Sequence, residues 1–209
     1  MRAWIVTAAP ISARDLDFYR SVKPQEGDMV ICADGGFDNA IQFAMQPDLV
    51  IGDFDSVASR VPEKIEIMKF PSEKDKTDTQ LAVEHALERG AKEVVILGNL
   101  SGRFDHTLGV IFLLGLIKDR GAEGLVLSAS ERICLLRNEK AVIARGESKW
   151  ISLVAVNGDA KGVSVKRTKY ELDGEELKAG DTKGISNEFT ALDAHVEVEK
   201  GEVLVVASG

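Results

Sequence analysis

A chain of 209 residues, 44% of them hydrophobic, has enough apolar material to bury one good core or two small ones, which excludes an intrinsically disordered protein. Its net charge of −8 argues against a nucleic-acid partner, because proteins that bind nucleic acids neutralise phosphates with clustered Lys and Arg. The most apolar segment, residues 108–117, is too short to span a bilayer, so we expect no membrane partner.

The amino terminus and the two cysteines favour a cytoplasmic protein. Residues 1–10 favour a strand and lack the basic start and long apolar core of a signal peptide. Cys32 and Cys134 lie in apolar surroundings without CxxC spacing, which favours buried reduced thiols over a disulfide or a zinc site. We therefore expect a cytoplasmic location.

Strand-like and helix-like segments alternate through the first part of the chain. Apolar runs predict strands at residues 4–8, 29–33, 49–51, 65–70, 94–98 and 125–128. Helical spacing predicts helices at residues 13–21, 37–44, 77–90 and 104–118, the third of them opened by a capping box from Thr77 to Gln80. This alternation predicts a parallel sheet with helices on both faces.

The pattern changes near Ser130, beyond which no helical stripe is convincing. Short apolar runs at residues 133–136, 141–144, 150–156, 162–166, 195–198 and 203–207 are separated by turn residues such as Asn157-Gly158-Asp159. Such a pattern is typical of an antiparallel sandwich. The predicted fold class is α/β: an N-terminal parallel-sheet, Rossmann-like α/β domain at residues 1–129, followed by a C-terminal antiparallel β-sandwich domain at residues 130–209.

Two carboxylates, Asp53 and Asp55, follow directly after the apolar run 49–51. Because side chains alternate along a strand, both leave its end on the same side of the backbone. Mg²⁺ takes oxygen ligands, usually one or two protein carboxylates together with phosphate oxygens of a substrate. The pair therefore predicts phosphate chemistry, while the simpler alternative is a turn, because Asp and Ser are common turn formers.

Polar residues also follow three other predicted strands, and in open parallel sheets ligands bind at these carboxyl ends. Gly35 and Gly36 would let the backbone approach a phosphate at a helix N-terminus, and Arg103 would hold a phosphate bidentately. A Mg²⁺ ion held by carboxylates would neutralise charge during transfer. The carboxylates that would hold it are Asp53, Asp55 and Asp78.

Each of these motifs also has a structural explanation. Asp78 at a helix start is favoured by the helix dipole, and Gly35-Gly36 forms an ordinary strand-to-helix turn. His106 would be a general base or a phosphate contact in the functional interpretation, and would pack against Phe104 in the structural one. The chain contains neither a P-loop motif nor a dinucleotide fingerprint.

Five motifs occur in order across nearly the whole chain: ADGG (33–36), GDFDS (52–56), KDKTDT (74–79), GRFDHTL (102–108) and GISNEF (184–189). Taken together, they resemble the thiamine pyrophosphokinase family. The resemblance implies a nucleotide-binding catalytic domain, followed by a thiamine-binding and dimerisation domain, in a homodimer with thiamine bound between subunits. It also implies the reaction of ATP with thiamine to give thiamine diphosphate and AMP.

The resemblance also assigns roles to individual residues. It makes Asp53, Asp55 and Asp78 the catalytic carboxylates and magnesium ligands. Ser186 and Asn187 would contact the pyrimidine ring of thiamine from the partner subunit, and Tyr170 would cover the cationic thiazolium. The ATP-binding residues that it implies are Asp34, Gly35, Gly36, Lys74, Asp75, Arg103, Asp105 and His106.

In the implied mechanism the thiamine hydroxyl attacks the β-phosphorus of ATP in line, and AMP leaves. Either Asp78 or Asp55 would accept the hydroxyl proton.

Two alternative functions belong to other classes of protein. Residues 53–57 also fit the DxDx[TV] signature of haloacid-dehalogenase-like phosphatases, with Asp53 as nucleophile, although those enzymes have an acidic pair where residues 128–130 are Ser-Ala-Ser. The other alternative is a non-catalytic protein that carries thiamine or a nucleotide. Such a carrier would not need acidic residues at the ends of four strands.

Overall fold

A computed structural model describes residues 1–98, 100 and 102–209, and its backbone divides into two units, Met1–Ala129 and Ser130–Gly209. The first unit alternates strands with helices. Its six strands are β1 (Arg2–Val6), β2 (Met29–Ala33), β3 (Leu49–Gly52), β4 (Glu66–Lys69), β5 (Glu93–Leu97) and β6 (Glu123–Leu127). They lie in the order β6-β5-β1-β2-β3-β4, and every neighbouring pair is parallel.

Strand order reverses at β1, since the chain builds outward from β1 to β4 and then returns to add β5 on the other side of β1. Open α/β sheets bind their ligands beside such a reversal, at the carboxyl ends of the strands. The topology alone therefore places a binding crevice where the loops after β1, β2 and β5 meet.

Helices cover both faces of this sheet. They are α1 (Leu16–Ser21), α2 (Gly36–Gln42), α3 (Asp78–Glu88) and α4 (Phe104–Asp119). On one face, Tyr19 of α1 and Phe37 of α2 pack against alternate strand residues such as Val6. α3 contacts β1, β2 and β3 and buries Ala82, Val83 and Ala86. None of the helices in the described part of the chain combines the length and apolar character that a bilayer crossing needs.

The start of α3 is fixed by its cap. The Thr77 hydroxyl accepts a hydrogen bond from the backbone N–H of Gln80 at 3.2 Å, as the capping pattern predicts. The Gln80 side chain does not complete the reciprocal arrangement, because its amide donates to Glu84 at 3.1 Å. The cap places Asp78 in the first turn of the helix.

Antiparallel strands make up the second unit. They are β7 (Glu131–Arg137), β8 (Lys140–Ala144), β9 (Trp150–Lys166), β10 (Leu172–Leu177), β11 (Asn187–Glu188) and β12 (Asp193–Ser208). The first half of β9 pairs with the second half of β12, between β11 and β7. The other halves of β9 and β12 pair between β10 and β8. Side chains of both layers, including Leu153, Val163, Val196 and Val205, share one core. The predicted α/β unit followed by an antiparallel sandwich is confirmed.

The prediction of separate short strands at 150–156 and 162–166 was wrong, because β9 continues through residues 157–161. The chain bends there, with positive φ angles of 59° at Asn157 and 133° at Gly158. β12 is likewise continuous where two strands were expected, with a register shift opposite this bend. A bent strand and a hairpin use the same turn residues, so local sequence does not separate them.

The two cysteines differ in burial. Cys32 on β2 is fully buried, and burial raises the pKa of its thiol well above the usual range. Cys134 on β7 is half-buried beside the core of the second unit.

Candidate active site

Three carboxylates converge after β2 and β3. Ligand oxygens of Asp34, Asp53 and Asp55 all lie within 4.8 Å of one another. The convergence follows from the sheet, because Ala33 and Ile51 are register partners on neighbouring parallel strands. Asp34 is buried, Asp53 half-buried and Asp55 exposed, so the cluster opens from the sheet edge toward solvent.

The backbone holds this acidic cluster in a tight arrangement. Asp34 has a φ of 48°, its N–H donates to the Ile51 carbonyl, and its Oδ1 accepts from the N–H of Phe54 at 3.1 Å. Gly52 makes the close approach possible, since a Cβ there would lie 2.9 Å from the Asp34 Cβ. The N–H of Asp55 donates to Asp53 Oδ1, and this bond, with help from Ser72 and Lys74, lowers the pKa of Asp53.

Asp38 on α2 braces the loop that carries the acidic pair. Its carboxylate accepts hydrogen bonds from the backbone N–H groups of Ala58 at 2.8 Å and Ser59 at 3.0 Å. Burial works to raise the pKa of Asp38, but the bonds from Ser59 and Ala58 outweigh it and hold the pKa below the usual range. These bonds tie the loop after β3 to helix α2.

Asp78 is paired with a lysine. Lys74 Nζ lies 3.1 Å from Asp78 Oδ1, and both side chains are largely buried. Burial raises the pKa of Asp78, and the charges of Asp34 and Asp53 add to this effect against the opposing influence of Lys74. Asp78 therefore interacts electrostatically with the acidic cluster while Lys74 supplies its counter-charge.

Arg103 and Asp105 form a two-bond pair at the start of α4. Arg103 Nε and Nη2 donate to the two carboxylate oxygens of Asp105 at 3.2 and 2.6 Å. The Arg103 hydrogen bonds lower the pKa of Asp105 to about 2. The Arg103 side chain is 73% exposed, so its guanidinium is accessible to an anionic ligand.

A cavity of about 930 Å³ in the first unit joins most of the predicted residues. Gly35 and Gly36 instead pack against β1 and its following loop, where a Cβ on Gly36 would lie 2.0 Å from the Val6 carbonyl oxygen. Asp75 is exposed and is likewise not among the cavity residues. The predicted residues that line the cavity are Asp34, Asp53, Asp55, Lys74, Asp78, Arg103, Asp105 and His106.

Part of the cavity wall was not anticipated from sequence. The loop after β1, residues 7–10, contributes to it but contains no charged side chain that would have signalled a site. Lys76 also lines the cavity, where it pairs with Glu84 at 2.7 Å. The apolar part of the wall is formed by Ile96, Leu100, Val110, Leu113 and Val126. Both charged and apolar residues thus line the cavity.

The predicted thiamine residues lie in the second unit. The Tyr170 ring is 62% exposed, and Lys169 Nζ lies 5.5 Å from its centroid. Ser186 is exposed with a φ of 61°, and its N–H donates to the Ser152 hydroxyl at 3.0 Å. Asn187 is buried on β11 and bonds to the Tyr170 backbone. The structure therefore brings Asn187 and Tyr170 together across 17 residues of sequence.

A second aromatic side chain that sequence reasoning missed is Trp150 on β9. It pairs in register with Glu188, and Lys149 Nζ lies 4.3 Å from its ring. Glu188 also binds Lys169 at 2.8 Å. In the sequence Trp150 only begins an apolar strand, so its place beside the GISNEF segment depends on strand pairing.

Comparison with known proteins agrees with this architecture. The family model described as the thiamin pyrophosphokinase catalytic domain matches residues 24–124, and the one described as the vitamin B1 binding domain matches residues 136–203. A Bacillus subtilis protein named thiamine pyrophosphokinase is 28% identical over 184 residues, covering 85% of this chain and 86% of that protein. A Caenorhabditis elegans thiamin pyrophosphokinase is 26% identical, covering 77% of this chain and 71% of its own.

Solved structures agree as well. The crystal structure of the Bacillus subtilis thiamine pyrophosphokinase superimposes with a TM-score of 0.85 at 26% identity, covering 100% of this chain and 99% of that one. An Enterococcus faecalis thiamin pyrophosphokinase family protein gives a TM-score of 0.85 at 25% identity with the same coverage. These comparisons do not support a haloacid-dehalogenase-like phosphatase or a non-catalytic carrier. The two domain models together span most of the chain, which belongs to the thiamin pyrophosphokinase family.

Proposed function

We propose that this protein transfers the diphosphoryl group of ATP to the hydroxyl of thiamine, giving thiamine diphosphate and AMP. The observation that carries the proposal is the convergence of Asp34, Asp53 and Asp55 in a cavity that also contains Lys74 and Arg103. Clustered carboxylates beside cationic side chains suit a reaction in which a highly charged phosphate chain must be held and neutralised.

The donor set fits Mg²⁺, since carboxylate oxygens are the ligands that this ion prefers. Asp53, Asp55 and Asp78 would hold it, and Asp34 belongs to the same acidic cluster as the first two. When bound, Mg²⁺ would neutralise negative charge on the transferring diphosphoryl group.

Cationic and polar residues around the cavity would hold ATP. Arg103 offers a planar fork of donors to phosphate oxygens, and Lys74 and His106 add donors on the same cavity wall. Asp34 and Asp105 belong to this wall too. The remaining members of the proposed nucleotide site are Gly35, Gly36 and Asp75.

Thiamine would bind at the segment that contains Tyr170, Ser186 and Asn187, where Tyr170 and Ser186 form the exposed surface and Asn187 is buried beside them. The Tyr170 ring already has an ammonium group 5.5 Å from its centroid, which supports its interaction with the thiazolium cation. The exposed Ser186 hydroxyl is available to the pyrimidine ring.

In the reaction, the thiamine hydroxyl oxygen forms a bond to the β-phosphorus of ATP, and the bond from this phosphorus to the oxygen retained by AMP breaks. The hydroxyl proton passes to a carboxylate. The acceptor would be Asp78 or Asp55, both of which line the cavity. The remaining side chains contribute position and charge rather than covalent chemistry.

We further propose a cytoplasmic homodimer with thiamine bound at the subunit interface, as the family resemblance implies. The buried, inert thiol of Cys32 is consistent with a reducing compartment. Light scattering on the purified protein would test the dimer, which should have twice the chain mass of 22.6 kDa.

One assay tests the proposed reaction. Purified protein is incubated with Mg²⁺, ATP and thiamine, and we expect AMP and thiamine diphosphate in equal amounts. Phosphate release from a generic ester without AMP would indicate a phosphatase instead. Tight thiamine binding without turnover would indicate a carrier, and either result would overturn the proposal.

A further inference from the structure

The Asn187 side chain uses its full hydrogen-bonding capacity inside the protein. Its Nδ2 donates to Thr168 Oγ1 at 3.1 Å and to the Tyr170 carbonyl at 2.7 Å. Its Oδ1 accepts from the N–H of Tyr170 at 3.0 Å and from the N–H of Glu188 at 2.9 Å. An amide side chain has two donor hydrogens and two acceptor lone pairs, so these four bonds leave none for a ligand.

Burial leads to the same conclusion. Asn187 is only 6% exposed and Thr168 only 5%, so a substrate ring would reach neither without displacing the protein. Ser186, which directly precedes Asn187 in the chain, is exposed. The motif thus divides between an outward side chain that is available to a ligand and an inward one that is not.

The Asn187 side chain holds the backbone of Tyr170 at two points. It accepts a hydrogen bond from the Tyr170 N–H and donates one to the Tyr170 carbonyl. The ring of Tyr170 is 62% exposed, so its own side chain contributes little packing that would fix its position. The segment before it is held to β11 and the residues after it by backbone bonds, including the Lys169 N–H to the Glu188 carbonyl at 2.9 Å. At Tyr170 itself the Asn187 amide binds both backbone polar groups and so helps to fix the direction in which the ring projects.

We propose that Asn187 is a positioning residue that contributes to thiamine binding through Tyr170 and makes no contact with the substrate. This inference rests on the proposed function, because it requires Tyr170 to meet the thiazolium cation. An aromatic ring held in place before the ligand arrives does not lose conformational freedom on binding. Releasing it should weaken thiamine binding without altering the chemical step.

A double-mutant cycle distinguishes a role of Asn187 in positioning Tyr170 from a direct contact between Asn187 and thiamine. We expect Asn187→Ala and Tyr170→Ala each to raise the KM for thiamine by about 2- to 30-fold, the range of a cation–π contact, with kcat and the KM for ATP little changed. The double variant should have the KM of Tyr170→Ala alone, because Asn187 has no further effect once the ring is absent. Effects that multiply, or a normal KM in Asn187→Ala, would overturn the inference.

Two further variants guard against loss of folding. Thr168→Val replaces a buried side chain by a nearly isosteric one and removes two bonds of the same cluster. Thr168 Oγ1 accepts one of them from Asn187 and donates the other to the Tyr170 carbonyl at 3.4 Å, so the variant should also raise the KM for thiamine. Asn138→Ala is the matched control, since Asn138 Oδ1 also binds a backbone N–H, that of Gly201 at 2.8 Å. This control should lower the melting temperature and leave the KM unchanged.

Calorimetry of thiamine binding to the wild-type protein distinguishes failure of this inference from failure of the proposed function. Wild-type protein that turns over and binds thiamine, combined with multiplicative effects in the cycle, overturns only the role of Asn187. Wild-type protein that neither turns over nor binds thiamine overturns the proposed function and this inference together.

Discussion

Lys74 and Asp78 form an ion pair inside the candidate active site, with Nζ 3.1 Å from Oδ1 and the two side chains only 15% and 23% exposed. Lys74 also lowers the pKa of Asp53 through its charge. A single ammonium group therefore offsets part of the negative charge that the acidic cluster concentrates at the sheet edge. A divalent cation at the same carboxylates would have to compete with it.

Replacing Lys74 by Met should accordingly strengthen Mg²⁺ binding in the absence of nucleotide. We expect up to about a fivefold lower dissociation constant for Mg²⁺, the scale of a single ion pair, measured by calorimetric titration. The KM for ATP should rise, because a donor to the phosphates is lost. Lys76→Met is the control, since Lys76 pairs with Glu84 rather than with the acidic cluster. Weaker Mg²⁺ binding in Lys74→Met would contradict the competition.

Asp53→Asn should abolish turnover and leave the fold intact. Removing one negative ligand weakens the metal site, and we expect a loss of about 100-fold or more in kcat. Production of AMP measures the loss, and circular dichroism checks the fold. Asp17→Asn, on an α1 side chain that is 96% exposed, should behave as wild type. An Asp53→Asn enzyme with near-normal activity would remove this residue from the metal site.

Arg103→Ala should raise the KM for ATP by about tenfold or more, as expected for a charge-assisted bond to phosphate. Arg103→Lys should recover part of the loss, because an ammonium keeps the charge but not the two-donor fork. The comparison variant is Arg120→Ala, at the other end of α4. Steady-state kinetics at varied ATP measures all three. Equal effects of Arg103→Ala and Arg120→Ala would show that the change in net charge, and no phosphate contact, is responsible.

Asp38→Asn should destabilise the protein in a pH-dependent way. The bonds from Ser59 and Ala58 hold the pKa of Asp38 below its usual value, so its contribution to stability is present above the ordinary Asp pKa and disappears as pH falls through the lowered one. At pH 7 we expect the free energy of unfolding to fall by about 1 kcal/mol. Urea denaturation at pH 7 and near pH 3 measures the difference between the variants. A difference that does not shrink in acid would show that the ionised carboxylate is not the cause.

Local patterns in the sequence determined much of the fold. Strand β2 was predicted at residues 29–33, where it occurs, because a buried apolar run between turn residues has one obvious structure. The Thr77 cap was readable for the same reason, since its hydrogen bond spans three residues. Strands β10 and β11 were missed, because three of the six residues of β10 are acidic and β11 has only two residues.

The site shows the same division. Sequence alone determined that acidic residues follow several predicted strands, and parallel strands bring their carboxyl ends to one edge. Only the tertiary structure decided that Asp34 lies beside Asp53 and Asp55. It also decided that Asp78 pairs with Lys74, and that the side-chain amide of Asn187 binds the backbone of Tyr170. The contacts of Asp34 and Asn187 join residues remote in the chain. Lys74 and Asp78 are only four residues apart, and their pairing depends on which polar groups compete for one partner. Local periodicity carries no information about long-range contacts or about this competition between polar groups. The packing of the whole fold fixes them.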